Sequence, residues 1–320
     1  MKTLRGFAWT STLATFLLIF TGGLVRVSGA GLGCPDWPKC FGRWLPPTSI
    51  EQLPPDIDPS LFNFTLAWIE YGNRMLGALV GILILITAIL AIKDARRFPR
   101  IWIPAVASLI LVAYVGWQGG QVVASGLEPF LVAIHMLLSL TIALALLYTS
   151  LQLRFVRHPY VERRPLYPSK LNAWLTITSI LAVIQTILGT QLRGAIKVIR
   201  ELEPLGGHSF WTDAVGPISV IHQLLGVVVA LLVMHNAVTL IKRSEQPSTL
   251  VFQAAVSVTA VAMGQIVVGL AMIVYGYMPL LQVFHLWLSA LLLGSLLILF
   301  VCVKYNLSPS IASYQITQRR

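Results

Sequence analysis

Trp68-Ile69-Glu70-Tyr71-Gly72-Asn73-Arg74-Met75-Leu76-Gly77 opens onto an apolar run that continues to Ile92. A run of that length crosses hydrocarbon as an α-helix, because a bilayer core of about 30 Å needs about 20 helical residues. Glu70, Asn73 and Arg74 bring a carboxylate, an amide and a guanidinium to its mouth. Hydrocarbon offers such groups no water, so ionisable residues there mark a candidate functional site. Glu70 and Asn73 stand three apart and share one helix face, which Gly77 and Gly81 continue without side chains. A flat, bulky group could lie there.

The rest of the chain has the same character. Of 320 residues, 56% are hydrophobic and 11% charged, with a mean hydropathy of +0.78, which excludes an ordinary soluble domain. Spanning segments must satisfy their own backbone groups, so the apolar runs read as helices rather than strands. Eight are predicted: Phe7 to Val25, Gly72 to Ile92, Ile101 to Val123, Phe130 to Leu151, Leu171 to Leu192, Ile218 to Ile241, Leu250 to Tyr275 and Pro279 to Val303. Lys2 and Arg5 before the first run imitate a secretory signal. The run is long for one and lacks a clear small-x-small cleavage site, so it reads as a retained helix.

An even number of spans puts both termini on one side, and sixteen of the 23 Lys and Arg residues fall there. The positive-inside rule makes that side cytoplasmic. The net charge of +11 follows from this asymmetry and from contact with anionic lipid, and gives no support to nucleic-acid binding.

Between the first two spans, Arg26-Val27-Ser28-Gly29-Ala30-Gly31-Leu32-Gly33-Cys34-Pro35-Asp36-Trp37-Pro38-Lys39-Cys40 begins an external loop rich in Gly, Pro and Trp. Cys34 and Cys40 lie on the oxidising side, which favours a disulfide over two free thiols. Metal binding by this pair alone is weakly supported, since structural zinc takes four ligands. Cys302, in the last span, reads as packing.

The second half repeats the first. Asn73-Arg74-Met75-Leu76-Gly77 aligns with His222-Gln223-Leu224-Leu225-Gly226 at an offset of 149, and Pro129, His135 and Ser139 align with Pro279, His285 and Ser289 at 150. Gln118 matches Gln265 at 147, and Arg26 matches Arg193 at 167 across unequal loops. The expected fold is an all-α membrane protein of eight transmembrane helices in two tandem four-helix bundles, related by a pseudo-two-fold axis along the membrane normal. The predicted division is 1–152, a cytoplasmic linker at 153–170, and 171–320.

His222 and His285 fall at similar depth in one bundle. Imidazole is a common iron ligand, and facing helices build cofactor sites, so the pair points to a haem, with Gly226 opening the surface a porphyrin would cover. A lone intramembrane histidine would more simply be a packing residue; pairing by repeat favours the ligand reading. His135 occupies the equivalent place in the first half, but its partner position holds Asn73. A haem held only by His135 keeps one axial position open, whereas two histidines make a six-coordinate electron-transfer site. Glu70 belongs to the first half alone, because its repeat position is Ser219. It is either the acid of a reaction site or an interfacial partner of Arg74. Arg26 and Arg193 at the outer ends could hold haem propionates or snorkel to the interface. His235 reads as packing, and His158 and His208 as loop residues.

These residues resemble the haem A synthases, over nearly the whole chain. The resemblance rests on Arg26, the Gly-Leu-Gly-Cys-Pro-Asp-Trp-Pro-x-Cys loop at Gly31 to Cys40, the Glu-x-x-x-Arg-x-x-Gly element at Glu70 to Gly77, and histidines 135, 222 and 285 in a duplicated bundle. It implies oxidation of the methyl group of haem O to the formyl group of haem A by successive hydroxylation with molecular oxygen, for cytochrome oxidase assembly in a bacterial cytoplasmic membrane. It implies His222 and His285 as ligands of a permanent haem b, His135 as a ligand in a substrate-haem pocket with Asn73, Arg74 and Arg26, and Glu70 as the functional acid. The Cys34–Cys40 pair matches the family's first-loop cysteines. Haem O synthase (protohaem farnesyltransferase) is the implied partner beside an unidentified electron donor, with the oligomeric state open and a homo-oligomer among the options. Two departures stand out: Asn73 where many members have His, and no second cysteine pair between Ile199 and Ala214. The rival readings are a non-catalytic di-haem b-type electron-transfer protein, which has no use for Glu70, and a transporter, which would place polar groups nearer the midplane.

Overall fold

The computed structural model describes residues 1–155, 169–243 and 249–305. Among them lie nine α-helices: α1 (Lys2–Ser28), α2 (Phe64–Ala95), α3 (Pro99–Ala124), α4 (Pro129–Phe155), α5 (Ser169–Leu202), α6 (Gly207–Ala214), α7 (Pro217–Arg243), α8 (Thr249–Tyr275) and α9 (Pro279–Tyr305). All except α6 are long and apolar enough to cross a membrane. The all-α membrane class expected from composition is therefore what the chain forms.

The helix boundaries follow local chemistry. Prolines open α3, α4, α7 and α9, where a missing N–H is harmless and φ is already helical. Gly29, at φ 76°, ends α1 in the left-handed conformation that glycine adopts without strain. Asn63 caps α2 by accepting from the N–H of Leu66 at 3.0 Å. That cap starts α2 eight residues before the expected Gly72, so Glu70 lies well inside the helix. α5 runs ten residues past the expected Leu192. Its charged extension disguised it as loop, yet Lys197 and Glu201 form an i,i+4 pair at 3.6 Å that suits a helix. Arg193 therefore sits within α5 rather than at its end, as the sequence reading had it.

The chain divides into two compact units, the first comprising Met1–Ser150 with Tyr277–Trp287, the second Leu151–Gly276 with the chain from Leu288 onward. In the first, α2, α3 and α4 bury Val80, Ile84, Val115, Ile142 and Leu146 together, with Ala14 and Leu18 of α1 against them. Hydroxyls join helices in its interior, Ser11 to Thr87 at 2.9 Å and Thr12 to Ser150 at 3.1 Å, as expected where neighbouring helices must satisfy each other's polar groups. Trp287 donates its indole N–H to the carbonyl of Phe16 at 3.1 Å. In the second unit, α7 packs between α5 and α8, and Asn236 donates to Thr178 at 2.9 Å. His235 meets Trp174 edge-on there at 5.9 Å, in the packing role expected of it.

Candidate functional site

Cys34 and Cys40 form a disulfide, and the loop it closes is built onto α2. Asp36 accepts from the N–H groups of Phe41 and Gly42 at 2.6 and 2.9 Å, tying a turn in which Phe41 and Gly42 both have positive φ. Arg74 enters the loop from below. Its guanidinium donates to the carbonyls of Asp36 and Lys39 at 2.7 Å each and of Cys34 at 3.3 Å, and pairs with Glu70 Oε1 at 2.5 Å. Glu70 Oε2 accepts from the N–H of Cys34 at 2.7 Å. Both carboxylate oxygens, although only 4% of the residue is exposed, are thus bonded within the protein. Gly33 lets loop and helix meet, because a Cβ there would strike the backbone of Leu66. Cys34, Cys40, Phe41 and Ala67 are buried as one apolar cluster.

Under this loop lie the first-half candidates. His135, in α4, has its Nδ1 2.7 Å from Oε1 of Gln118 in α3. Gly119 leaves room for the ring: a Cβ there would come within 3.4 Å of His135 Cε1. Gly120, one residue on, seats the indole of Trp37 from the disulfide loop, where a Cβ would come within 3.0 Å. Arg26 donates to the thioether of Met136 at 2.9 Å, next along α4 from His135. Asn73 accepts on Oδ1 from the hydroxyl of Thr21 at 2.8 Å. Beyond it on α2, a Cβ at Gly77 or Gly81 would meet nothing within 4 Å, so that face is as open as the spacing suggested.

In the second unit, α5 and α7 meet at His222. A Cβ at Gly189 would lie 2.8 Å from its Cε1, so α5 needs glycine there. Gln185 donates to the carbonyl of His222 at 2.8 Å, and its amide stands 3.1 Å from where a Cβ of Gly226 would be. The space expected to be open at Gly226 is therefore partly occupied by Gln185. Gln223 donates to Ser219 at 3.3 Å, the neutral counterpart, position for position, of Arg74 on Glu70. His285, half-buried in α9, belongs with the first unit through Tyr277–Trp287. Arg193 is half-buried in α5. His208 lies in α6, a helix the sequence reading treated as loop, and His158 lies outside the described residues.

The donor set suits haem better than a bare ion. Among the described residues, no three or more His, Cys, Asp and Glu side chains gather as a metal cluster, whereas a porphyrin brings its own equatorial nitrogens and asks the protein only for axial imidazole. Glycines beside both His135 and His222 leave space around the rings. Sequence reasoning noticed Gln118 only as a repeat match and missed Gln185, Thr21 and the Cys34 amide. Nothing in spacing alone names the partner of a buried amide.

Comparison with known proteins adds an independent line. The sequence profile of the COX15-CtaA family, described as cytochrome oxidase assembly protein, matches residues 5–297. A heme A synthase of Shouchella clausii is 23% identical over 299 residues, 91% of this chain and 94% of that protein. One of Alkalihalophilus pseudofirmus is 24% identical over 277 residues, covering 85% and 88%. Another, of Shewanella oneidensis, reaches 34% identity over 146 residues, 42% of this chain and 41% of the relative.

Proposed function

The chain belongs to the COX15-CtaA family of cytochrome oxidase assembly proteins, and we propose that it is a haem A synthase, a membrane oxidoreductase converting haem O to haem A. Each of two successive hydroxylations inserts one atom of molecular oxygen into a C–H bond of the haem O methyl group, two electrons from the donor and two protons reducing the other atom to water, and the resulting geminal diol loses water to leave the formyl group. The observation that carries this reading is the difference between the halves. Where the second half offers His222, the first offers Asn73, whose amide oxygen is already bonded to Thr21, and the first half also carries His135 on α4 and an open glycine face on α2.

In this reading His135 binds haem O and Arg26 receives a propionate, a carboxylate being a far better acceptor for a guanidinium than the Met136 thioether it now touches. Arg193 is assigned the same role in the second half. His222 and His285 are assigned to a permanent haem b on the strength of the repeat and the family resemblance; when bound, that haem supplies one-electron transfer. Arg74 and Glu70 hold the disulfide loop on α2. Each Glu70 oxygen accepts from the loop or from Arg74 and keeps a further lone pair, so in this reading the same carboxylate positions the loop and serves as the acid of the site. The protein is placed in a bacterial cytoplasmic membrane with its termini inside, receiving haem O from haem O synthase and electrons from a donor the residues do not name.

Haem extraction tests the assignment. Protein purified from cells that carry haem O synthase is expected to yield haems O and A beside haem B. His135→Ala is expected to retain haem B but lose haem A. Haem B alone in the wild-type extract would favour the electron-transfer reading instead.

A further inference from the structure

Gln118, six residues before the end of α3, is 3% exposed, and the reaction described above does not use it. Its amide is held at both ends: Nε2 donates to the carbonyl of Leu131 at 2.8 Å, and Oε1 lies 2.7 Å from His135 Nδ1. These two bonds fix which way the amide faces. A carbonyl only accepts, so the group opposite Leu131 is the NH2, and the atom opposite the imidazole is the carbonyl oxygen. That oxygen in turn only accepts, so His135 carries its proton on Nδ1 and its lone pair on Nε2. Leu131 lies one helical turn before His135 on α4, so the anchoring carbonyl and the ring belong to one rigid segment. Gly119 keeps the ring edge against α3 free of any side chain.

The geometry points to Gln118 as the positioning residue for the substrate-haem ligand: it selects the Nδ1–H tautomer of His135, orients the ring and raises the basicity of Nε2 toward iron. This rests on the reading of His135 as a haem O ligand. Partners of this kind, behind a metal-bound histidine, commonly change metal affinity about 10–100-fold when removed. A residue that merely filled space between α3 and α4 would leave the electronic character of the iron–imidazole bond untouched.

Resonance Raman spectroscopy of the reduced protein, purified from cells carrying haem O synthase, reads that bond. The iron–histidine stretch of a five-coordinate haem arises from a site with one imidazole, and a six-coordinate bis-histidine haem does not contribute to it. His135→Ala is expected to abolish the band. Gln118→Leu is expected to keep it but move it to lower frequency, with haem O held about 10–100-fold more weakly. Gln118→Glu, which restores an acceptor at Nδ1, is expected to bring it to the wild-type frequency or above. If His135→Ala abolishes the band while neither Gln118 variant moves it, Gln118 is packing and His135 still stands as the ligand. Should Gln118→Leu fail to accumulate, Gln118→Met, which likewise removes the amide acceptor and fills the space, decides in its place: a band shifted to lower frequency supports the role, and one at the wild-type frequency overturns it. A band that survives His135→Ala overturns the ligand assignment itself, and with it any role for Gln118 toward iron.

Discussion

Glu70 and Arg74 were conspicuous as residues because charge at a helix mouth in hydrocarbon demands compensation. What compensates them is the disulfide loop, through the N–H of Cys34 and the carbonyls of Cys34, Asp36 and Lys39. The two side chains are therefore expected to fail differently. Arg74→Met leaves a buried carboxylate without its cation, a change that commonly costs about 3–5 kcal/mol; the expected result is a lower thermal midpoint and faster proteolysis between residues 34 and 63. Glu70→Gln keeps an acceptor for the Cys34 N–H, so loop proteolysis should stay close to wild type while haem A formation falls. Haem A made at the wild-type rate by Glu70→Gln would restrict Glu70 to the loop. The sequence located these residues but could not assign their bonds, since loop carbonyls in any chain look alike until the fold brings them to a guanidinium.

At the scale of elements, the repeat supplies a matched pair of glycines, Gly22 in α1 and Gly189 in α5, related by the same offset of 167 as Arg26 and Arg193. Their surroundings differ. A Cβ at Gly22 would meet nothing within 4 Å, whereas one at Gly189 would lie 2.8 Å from the imidazole of His222. Gly189→Ala is thus expected to push the ring aside and reduce the low-spin haem b absorbance per mole of protein, while Gly22→Ala leaves it unchanged. Equal haem b in both variants would remove His222 from the ligand set. The eight spanning helices were legible because each is a long apolar run. The eight-residue α6 was not, and the continuation of α5 through Arg193 and Arg200 was hidden by charges that sit comfortably on a helix once it leaves the hydrocarbon. The packing of Gln185 at Gly226 was equally hidden, because it joins two helices far apart in sequence.

For the whole molecule, the open question with the widest consequence is which way the chain faces. Two observations of different physical origin give the same answer. The excess of Lys and Arg lies on the side of the termini, sixteen of 23, which the insertion machinery keeps in the cytoplasm. The disulfide lies in the loop between α1 and α2, on the opposite side, and disulfides persist in oxidising compartments rather than in the cytosol. In the proposed topology, with α1 leaving from inside, the Cys34–Cys40 loop with Glu70, Arg74 and Arg26 comes to the external face. Alkaline phosphatase fused after Pro47 is therefore expected to be active, and a fusion after Arg97, in the turn between α2 and α3, inactive. Activity in the opposite pattern would carry the loop into the reducing compartment, where a disulfide anchoring the site could not be relied on. Every role assigned above to the outer ends of the helices would then have to be moved to the cytoplasmic face.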